Sequence, residues 1–477
     1  MEVVMDPVLT GFIVYLVLIL VVGFVTVRLT KTLSDFILAG RKLGPWVVAF
    51  SERASGESAW LLIGLPGLAL ASGYNAIWPA VGCCSGILFS WLVISRRLRV
   101  NTERLNALTL PDFFEAQFED KSRSLRVVST IIIVFFFTLY VAAQFLAAGK
   151  VLNATFGMSQ LAGMLLGAAI ILFYTIMGGF FAVVWTDLFQ GVIMVCTLVI
   201  LPVAGIIELD GLNMMNKGIA EIDAGLLSLG GGQTGWAMIS SILGGLAIGL
   251  GYMGQPHLIT RFMAIKNPNE LKKGTVIAIT WALLAFFGAV FVGITGLSMF
   301  GSDFFADTEK VMPVMATTLM PAWIAGIMIS GAIAAMMSTA DSQLLVTTSA
   351  ISEDIYHQMM NKKADQKTLV ILSRLAAIAV GVIAFILAIT AEQLVYWLVL
   401  YAWAGLGASF GPSLLLTLWW KKVTRQGVLA GMIVGTVTVL VWYNVPVLKN
   451  FIYELIPGFF LSLIAVWAVS LGTQKRY

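Results

Sequence analysis

The chain has 477 residues, of which 59% are hydrophobic and 11% charged, and a net charge of +4. A soluble domain carries about 25% charged residues, so a chain this apolar needs lipid as its solvent. That excludes a cytosolic enzyme, a nucleic-acid binder and a disordered protein. The cysteines, Cys83, Cys84 and Cys196, lie in apolar runs with no CxxC spacing, so no disulfide framework or metal knuckle is indicated. No Walker loop or HExxH occurs, so phosphate-driven pumping has no engine and no catalytic set marks an enzyme.

Glu2 and Asp6 precede the first apolar run without a basic residue, which argues against a cleaved signal peptide. About thirteen apolar runs long enough to span a bilayer follow. They start near Leu9, Gly44, Ala76, Val127, Leu161, Leu188, Trp236, Thr275, Ala322, Val370, Leu394, Val428 and Tyr453. The runs are too long and too even for barrel strands, so the expected fold is all-α and polytopic. Basic connections (Arg28 to Lys42, Arg96 to Arg126, Arg261 to Lys273, Lys362 to Lys367, Lys421 to Arg425, Lys475-Arg476) alternate with poor or acidic ones (Glu208 to Asp223, Asp303 to Glu309, around Glu392). The alternation places the chain in a cell (plasma or inner) membrane, N-terminus outside and C-terminus in the cytoplasm, with an odd number of spans. No connection is long enough for a separate domain, so residues 1–477 read as one membrane unit.

The second run, PWVVAFSERASGESAWLLIGLPGLALASG, carries Glu52, Arg53 and Glu57 near its middle. Each charge costs roughly 2.5–3.5 kcal/mol at a helix centre unless paired or wet. Ser51, Ser55, Gly56 and Ser58 surround them and permit local unwinding, which frees carbonyl oxygens to face a cavity. The seventh run, GGLAIGLGYMGQPHL, is interrupted by Gly249, Gly251, Gly254 and Pro256. Two broken helices five runs apart imply inverted repeats, a transporter architecture with its site near the midplane. The competing reading is glycine kinks used for close packing.

The ninth run places Ser338, Thr339, Asp341 and Ser342 on adjacent turns, and Ser338 and Ser342 share a face. Hydroxyl, carbonyl and carboxylate oxygens suit a hard cation. Thr347, Thr348 and Ser349 are expected to bond back to their own helix. Asp187 is either a near-surface cap at the start of the sixth run or a cation ligand or proton carrier shared with Asp341.

The segments ILAGRKLGPWVVAFSERASGESAWLLIGLPG, ALTLPDFFEAQFEDKSRSLRVVS, GGFFAVVWTDLFQ, GYMGQPHLITRFMA, AAMMSTADSQLLV and YAWAGLGASFGP together resemble the sodium:solute symporter family over nearly the whole chain. The resemblance implies a leucine-transporter-type core of two five-helix inverted repeats, residues 44–206 and 235–420. An extra N-terminal helix (8–28) and two extra C-terminal helices (427–472) would flank it. It implies uptake of a small solute driven by sodium, with an amino acid, proline first, as the implied solute. It assigns sodium to the backbone oxygens of Ala54, Glu57 and Ala335 and the hydroxyls of Ser338 and Thr339. A second cation would sit near Asp187, Ser338, Asp341 and Ser342. The solute pocket would fall on Trp60, Tyr140, Tyr252 and Pro256, with Ser58 between pocket and ion.

Two departures bear on the solute. Proline-carrying members have an Asp where this chain has Gly56, with Glu57 one residue later, and a Trp where it has Ile248. One residue turns a helical side chain by about 100°, so Glu57 does not simply replace that Asp. Three roles stay open for Glu57: pairing with Arg53, neutralising a cation, or carrying a proton. The other solutes are another small amino acid or a carboxylate, and the rival driving ion is a proton carried by Glu57, Asp187 and Asp341. No nucleic acid and no obligatory protein partner is implied.

Overall fold

The computed structural model describes residues 6–27, 33–391 and 394–474. Arg28, Lys31, Glu392, Lys475 and Arg476, used above for orientation, lie outside these residues. Among the described residues the ordered structure is helical, with one isolated bridge between Leu43 and Ile265. Among the described residues, ten helical runs are long and apolar enough to cross a membrane, against the thirteen or so expected. Pro7–Gly23 and Gln160–Phe173 are shorter apolar helices, and Pro45–Arg104 is one 60-residue run. That run turns back on itself, because Gly73 adopts φ +59° and the two ends meet. There Arg41 donates to the carbonyls of Thr102 (3.1 Å) and Ala107 (2.7 Å).

The elements are α1 (Pro7–Val27), α2 (Pro45–Ala59 continuing to Leu65–Ser72), α3 (Ile77–Phe89 continuing to Ser95–Arg104), α4 (Ser124–Phe156), and α5 and α6, the two parts of Gln160–Glu208 divided at Gly179. They continue with α7 (Gly235–Ala247 and Pro256–Ala264), α8 (Leu271–Phe300), α9 (Ala322–Ser349), α10 (Gln366–Thr390), α11 (Val395–Trp419), α12 (Arg425–Asn444) and α13 (Leu455–Thr473). The outer face of α10 presents Ile371, Leu375, Val382 and Ile386, as a lipid-facing helix must when no water is there to reward polar side chains.

Both expected breaks are present. In α2 the helix fails at Ser58 (φ 50°, ψ −171°) and resumes through a wide π-type turn, Trp60–Gly64. A positive φ in a non-glycine residue costs of order 1–3 kcal/mol, and local hydrogen bonds hold it. The amide of Trp60 donates to Ser58 Oγ (3.1 Å) and that of Ala59 to Gln144 Oε1 (3.1 Å). In α7 a tight 3₁₀ segment, Ile248–Gly254, leads to extended Gln255 and a fresh helix started by Pro256.

The glycines also pack, so kinking and close approach are not alternatives here. A Cβ on Gly245 would stand 2.7 Å from Pro79 Cδ, and one on Gly82 or Gly86 would strike the backbone of Gly245 or Gly249. A Cβ on Gly254 would stand 2.7 Å from Gly411 N and 2.9 Å from Gly407 Cα. Small residues thus let α7 lie backbone to backbone against α3 and α11.

Candidate functional site

The break in α2 faces α9. Ser338 Oγ donates to the carbonyl of Ala54 at 2.9 Å and lies 3.1 Å from the carbonyl of Ala335, one turn back on its own helix. Thr339 Oγ1 donates to the carbonyl of Ser55 at 2.9 Å. All of these residues are buried. Of the five expected sodium ligands, Ala54, Ala335, Ser338 and Thr339 converge. The carbonyl of Glu57 accepts instead from the Trp60 amide, and that of Ser55 takes its place opposite Thr339. The cluster is neutral oxygen, two hydroxyls and three carbonyls, which fits a monovalent hard cation.

Next to it lies a charged network. Asp187 Oδ2 accepts from Ser51 Oγ (2.6 Å), Ser55 Oγ (2.9 Å) and Arg261 Nη2 (3.2 Å). Arg261 Nη2 also donates to Ser55 Oγ (2.8 Å) and Ser342 Oγ (2.5 Å), and Ser342 Oγ donates to Asp341 Oδ1 (3.2 Å). Asp187 is therefore no near-surface cap. It is fully buried within the helix that begins at Gly179, too far along to cap anything. Arg261 is likewise no loop cation. The restart of α7 at Pro256 carries it inward, and the structure joins it to a carboxylate 74 positions away.

On the other side of the α2 break, Gly56, Glu57, Trp60, Tyr140, Ile248, Tyr252, Val399, Leu400 and Trp403 enclose a cavity of about 220 Å³. Trp60, Tyr140 and Tyr252 thus meet as expected, and Ser58 touches the group through the Tyr140 hydroxyl (3.4 Å). Pro256 does not join them. It lines a separate cavity of about 370 Å³ with Thr260, Ser349 and Asp354. Val399, Leu400 and Trp403 of α11 are additions. Trp403 lay in the quoted segment YAWAGLGASFGP, and its indole donates to the carbonyl of Ile248 (2.9 Å) in the broken part of α7.

The charges of α2 are paired. Arg53 donates to Glu52 through Nε (2.6 Å) and Nη2, and through Nη1 to Glu57 Oε1 (2.5 Å). Trp91 donates to Glu52 Oε2 at 3.0 Å, and Tyr252 OH donates to Glu57 Oε2 at 3.1 Å. Thr347 and Thr348 bond back to the carbonyls of Gln343 and Leu345 as expected, whereas Ser349 Oγ has no partner among the described residues.

The two ends of the bundle differ. At one, a vestibule of about 1700 Å³ shares Ile248 and Leu400 with the aromatic cavity, so those two side chains form its floor. At the other, Arg126 binds Asp112 (2.6 Å), Asp354 (2.5 Å) and Glu115, and Arg123 donates to the carbonyl of Gln358 (2.7 Å). These bonds latch the start of α4 and the helix before it to Ala350–Met360, the segment that continues α9, and Asp354 lines the 370 Å³ cavity.

The model of the sodium:solute symporter family matches residues 36–435. The chain belongs to the sodium:solute symporter family. It is 42% identical over 490 residues to the sodium/proline symporter of Escherichia coli (strain K12), covering 99% of this chain and 95% of that one. It is 41% identical to the high-affinity proline transporter PutP of Bacillus subtilis (strain 168), covering 95% and 96%. Among solved structures, a Na⁺-coupled sialic acid symporter in its substrate-bound outward-open state superposes with a TM-score of 0.81 at 19% identity, covering 98% of each chain. MhsT in complex with L-phenylalanine gives 0.56 at 14%, covering 90% of this chain and 98% of that one. The symporter fold is therefore of the leucine-transporter type. Its relatives are transporters rather than enzymes, and its ten apolar runs make it a membrane protein.

Proposed function

We propose that this symporter couples inward sodium movement to uptake of a small amino acid, proline first. The observation that carries this reading is the meeting of Ser338 and Thr339 with the carbonyls of Ala54 and Ser55, just before a helix break that opens onto an aromatic cavity. The hydroxyls now donate to those carbonyls. Turned away, they would free those carbonyls for sodium as cargo, which would bind Ala54, Ala335, Ser338 and Thr339, with Glu57 joining through its carbonyl if α2 unwinds further. Trp60, Tyr140 and Tyr252 would flank the solute, with Ser58 between the two loads. The names of the relatives support proline.

Sodium bound there would clamp α2 to α9. It can drive a cycle only by binding one arrangement more tightly than the other. One charge crossing 100 mV gains about 2.3 kcal/mol, and a tenfold sodium gradient adds about 1.4 kcal/mol. Together these support a solute gradient of roughly several hundredfold. The vestibule end is taken as the outside, because Arg96, Arg97, Arg99, Lys266, Lys272 and Lys273 gather at the latched end. On this reading the N-terminus lies outside and the C-terminus in the cytoplasm. Residues 44–206 and 235–420 are read as the inverted repeats, since each begins with a broken helix.

A second reading has one observation in its favour. Arg261 pairs with Asp187 and reaches Asp341 only through Ser342, and Asp187 Oδ1 and Asp341 Oδ2 have no hydrogen-bond partner among the described residues. Two carboxylates against one guanidinium leave one negative charge, which a second cation beside Ser338 and Ser342, or a proton, would balance.

The deciding experiment is labelled proline uptake into proteoliposomes, with an inward sodium gradient and then with sodium replaced by potassium. Accumulation only with sodium is expected. Accumulation driven equally by a proton gradient without sodium would move the coupling to Asp187 and Asp341, and no accumulation under either would reject proline.

A further inference from the structure

Glu52, Arg53 and Glu57 are buried together beside the aromatic cavity. Arg53 is the one cation paired with either carboxylate among the described residues, so two carboxylates face one guanidinium. The carboxylates are not equivalent. Glu52 takes two guanidinium nitrogens and the Trp91 indole. Glu57 takes one guanidinium nitrogen and the Tyr252 hydroxyl. A carboxylate accepts about four hydrogen bonds, so Glu57 keeps spare capacity, and Glu57 rather than Glu52 lines the cavity.

The surroundings specify the missing cation. The cavity wall is Trp60, Tyr140, Tyr252 and Trp403, rich in aromatic faces and poor in oxygen. Sodium wants a full shell of oxygens, whereas an organic ammonium is content with a carboxylate and aromatic faces. A second polar group is waiting as well. Trp60 is 4% exposed, and its indole N–H has no hydrogen-bond partner among the described residues. A buried donor left unmet is costly and calls for an acceptor from the ligand. Gly56 adds no charge of its own to this wall.

We propose that Glu57 is the ammonium receptor of this cavity and the Trp60 indole N–H the donor to the solute carboxylate. The pocket then selects small zwitterions and rejects carboxylates that lack a protonated amine. This rests on the symporter reading above and adds the solute class with its two polar anchors.

The test uses the purified full chain in sodium buffer and three probes that share a five-membered ring. L-proline has both charges, pyrrolidine only the ammonium, and cyclopentanecarboxylate only the carboxylate. Proline is expected to raise the melting temperature most, pyrrolidine less, and cyclopentanecarboxylate not at all. Glu57→Gln should raise the half-saturating proline concentration roughly 10- to 150-fold, the range for a hydrogen bond to a charged group. Trp60→Phe should weaken proline but leave the pyrrolidine effect. Stabilisation by cyclopentanecarboxylate equal to that by pyrrolidine overturns the inference without any variant, and so does unchanged proline affinity in Glu57→Gln. In both cases the symporter reading survives on sodium-dependent proline binding. No effect of proline on the wild-type chain, while sodium alone still stabilises it, overturns the proline reading and this assignment together.

Discussion

Lys150 of α4 and Glu309, in the connection between α8 and α9, form a buried ion pair of 2.6 Å. Glu309 also accepts from the backbone amides of Val395 (3.2 Å) and Tyr396 (2.9 Å), the first residues of α11. A carboxylate at a helix N-terminus meets unsatisfied N–H groups and the positive end of the dipole. Glu309 therefore ties α4 to the helix that carries Val399, Leu400 and Trp403. Lys150→Met leaves that carboxylate buried without its cation, a loss of about 3–5 kcal/mol. A lower melting temperature together with weaker proline binding is expected, and calorimetry in detergent with and without proline checks both.

Ser338→Ala and Thr339→Ala each remove one oxygen from the proposed sodium cluster. Each should raise the sodium concentration for half-maximal proline uptake on the order of tenfold, for a contact of about 1.4 kcal/mol. Uptake measured across a sodium series at saturating proline is the check. An unchanged sodium requirement in both variants would place the ion elsewhere.

Arg126→Ala frees Asp112, Glu115 and Asp354 at the latched end. The equilibrium should move toward opening there, since three acidic partners lose their common cation. A cysteine at Ser349, which lines the cavity behind the latch, reports this when Cys83, Cys84 and Cys196 are first replaced. Its alkylation should speed up on the order of tenfold, for a shift of about 1.4 kcal/mol, and sodium should slow it again.

Glu454 stands at the vestibule just before α13. Burial pushes its carboxyl up to about 7, against a smaller opposing pull from Lys449. Between pH 4.5 and 7 the folded chain then holds more of this proton than the unfolded one, so stability falls as pH rises through that window and levels off above it. Glu454→Gln should abolish this slope. The variant should gain over the wild type with rising pH, to roughly 3 kcal/mol near pH 8. Melting curves from pH 5 to 8 read the difference directly.

Gly254→Ala would set a methyl 2.7 Å from Gly411 N and 2.9 Å from Gly407 Cα, neither of which can swing aside. Overpacking of this kind costs typically about 1–3 kcal/mol. Transport should fall further than stability, because the clash lies at the broken part of α7. Comparing melting temperature with uptake rate separates the two effects.

Much of this site was legible because a membrane makes polar residues conspicuous. Glu57, Ser338 and Thr339 interrupt long apolar runs, and helical spacing predicts which of them share a face. The breaks at Ser58 and at Gly249 to Pro256 were visible for the same reason. Partners distant along the chain left no such trace. Arg261 reads as one more cation of a basic connection, and only folding shows it inside with Asp187. Trp91 reads as apolar filling, although its indole nitrogen serves Glu52. Pro256 sits in a site-like segment, yet the helix it starts turns it toward the other cavity.

The backbone contact of Gly82 and Gly86 with Gly245 and Gly249 reaches beyond packing. The α3 helix contributes no side chain to the aromatic cavity or to the oxygen cluster, but it shares a bare seam with the first half of α7. Whatever swings that half of α7 must carry α3 along. A random screen for inactive carriers should therefore return substitutions at positions 82 and 86 beside those in the charged centre, from residues that touch neither ion nor solute.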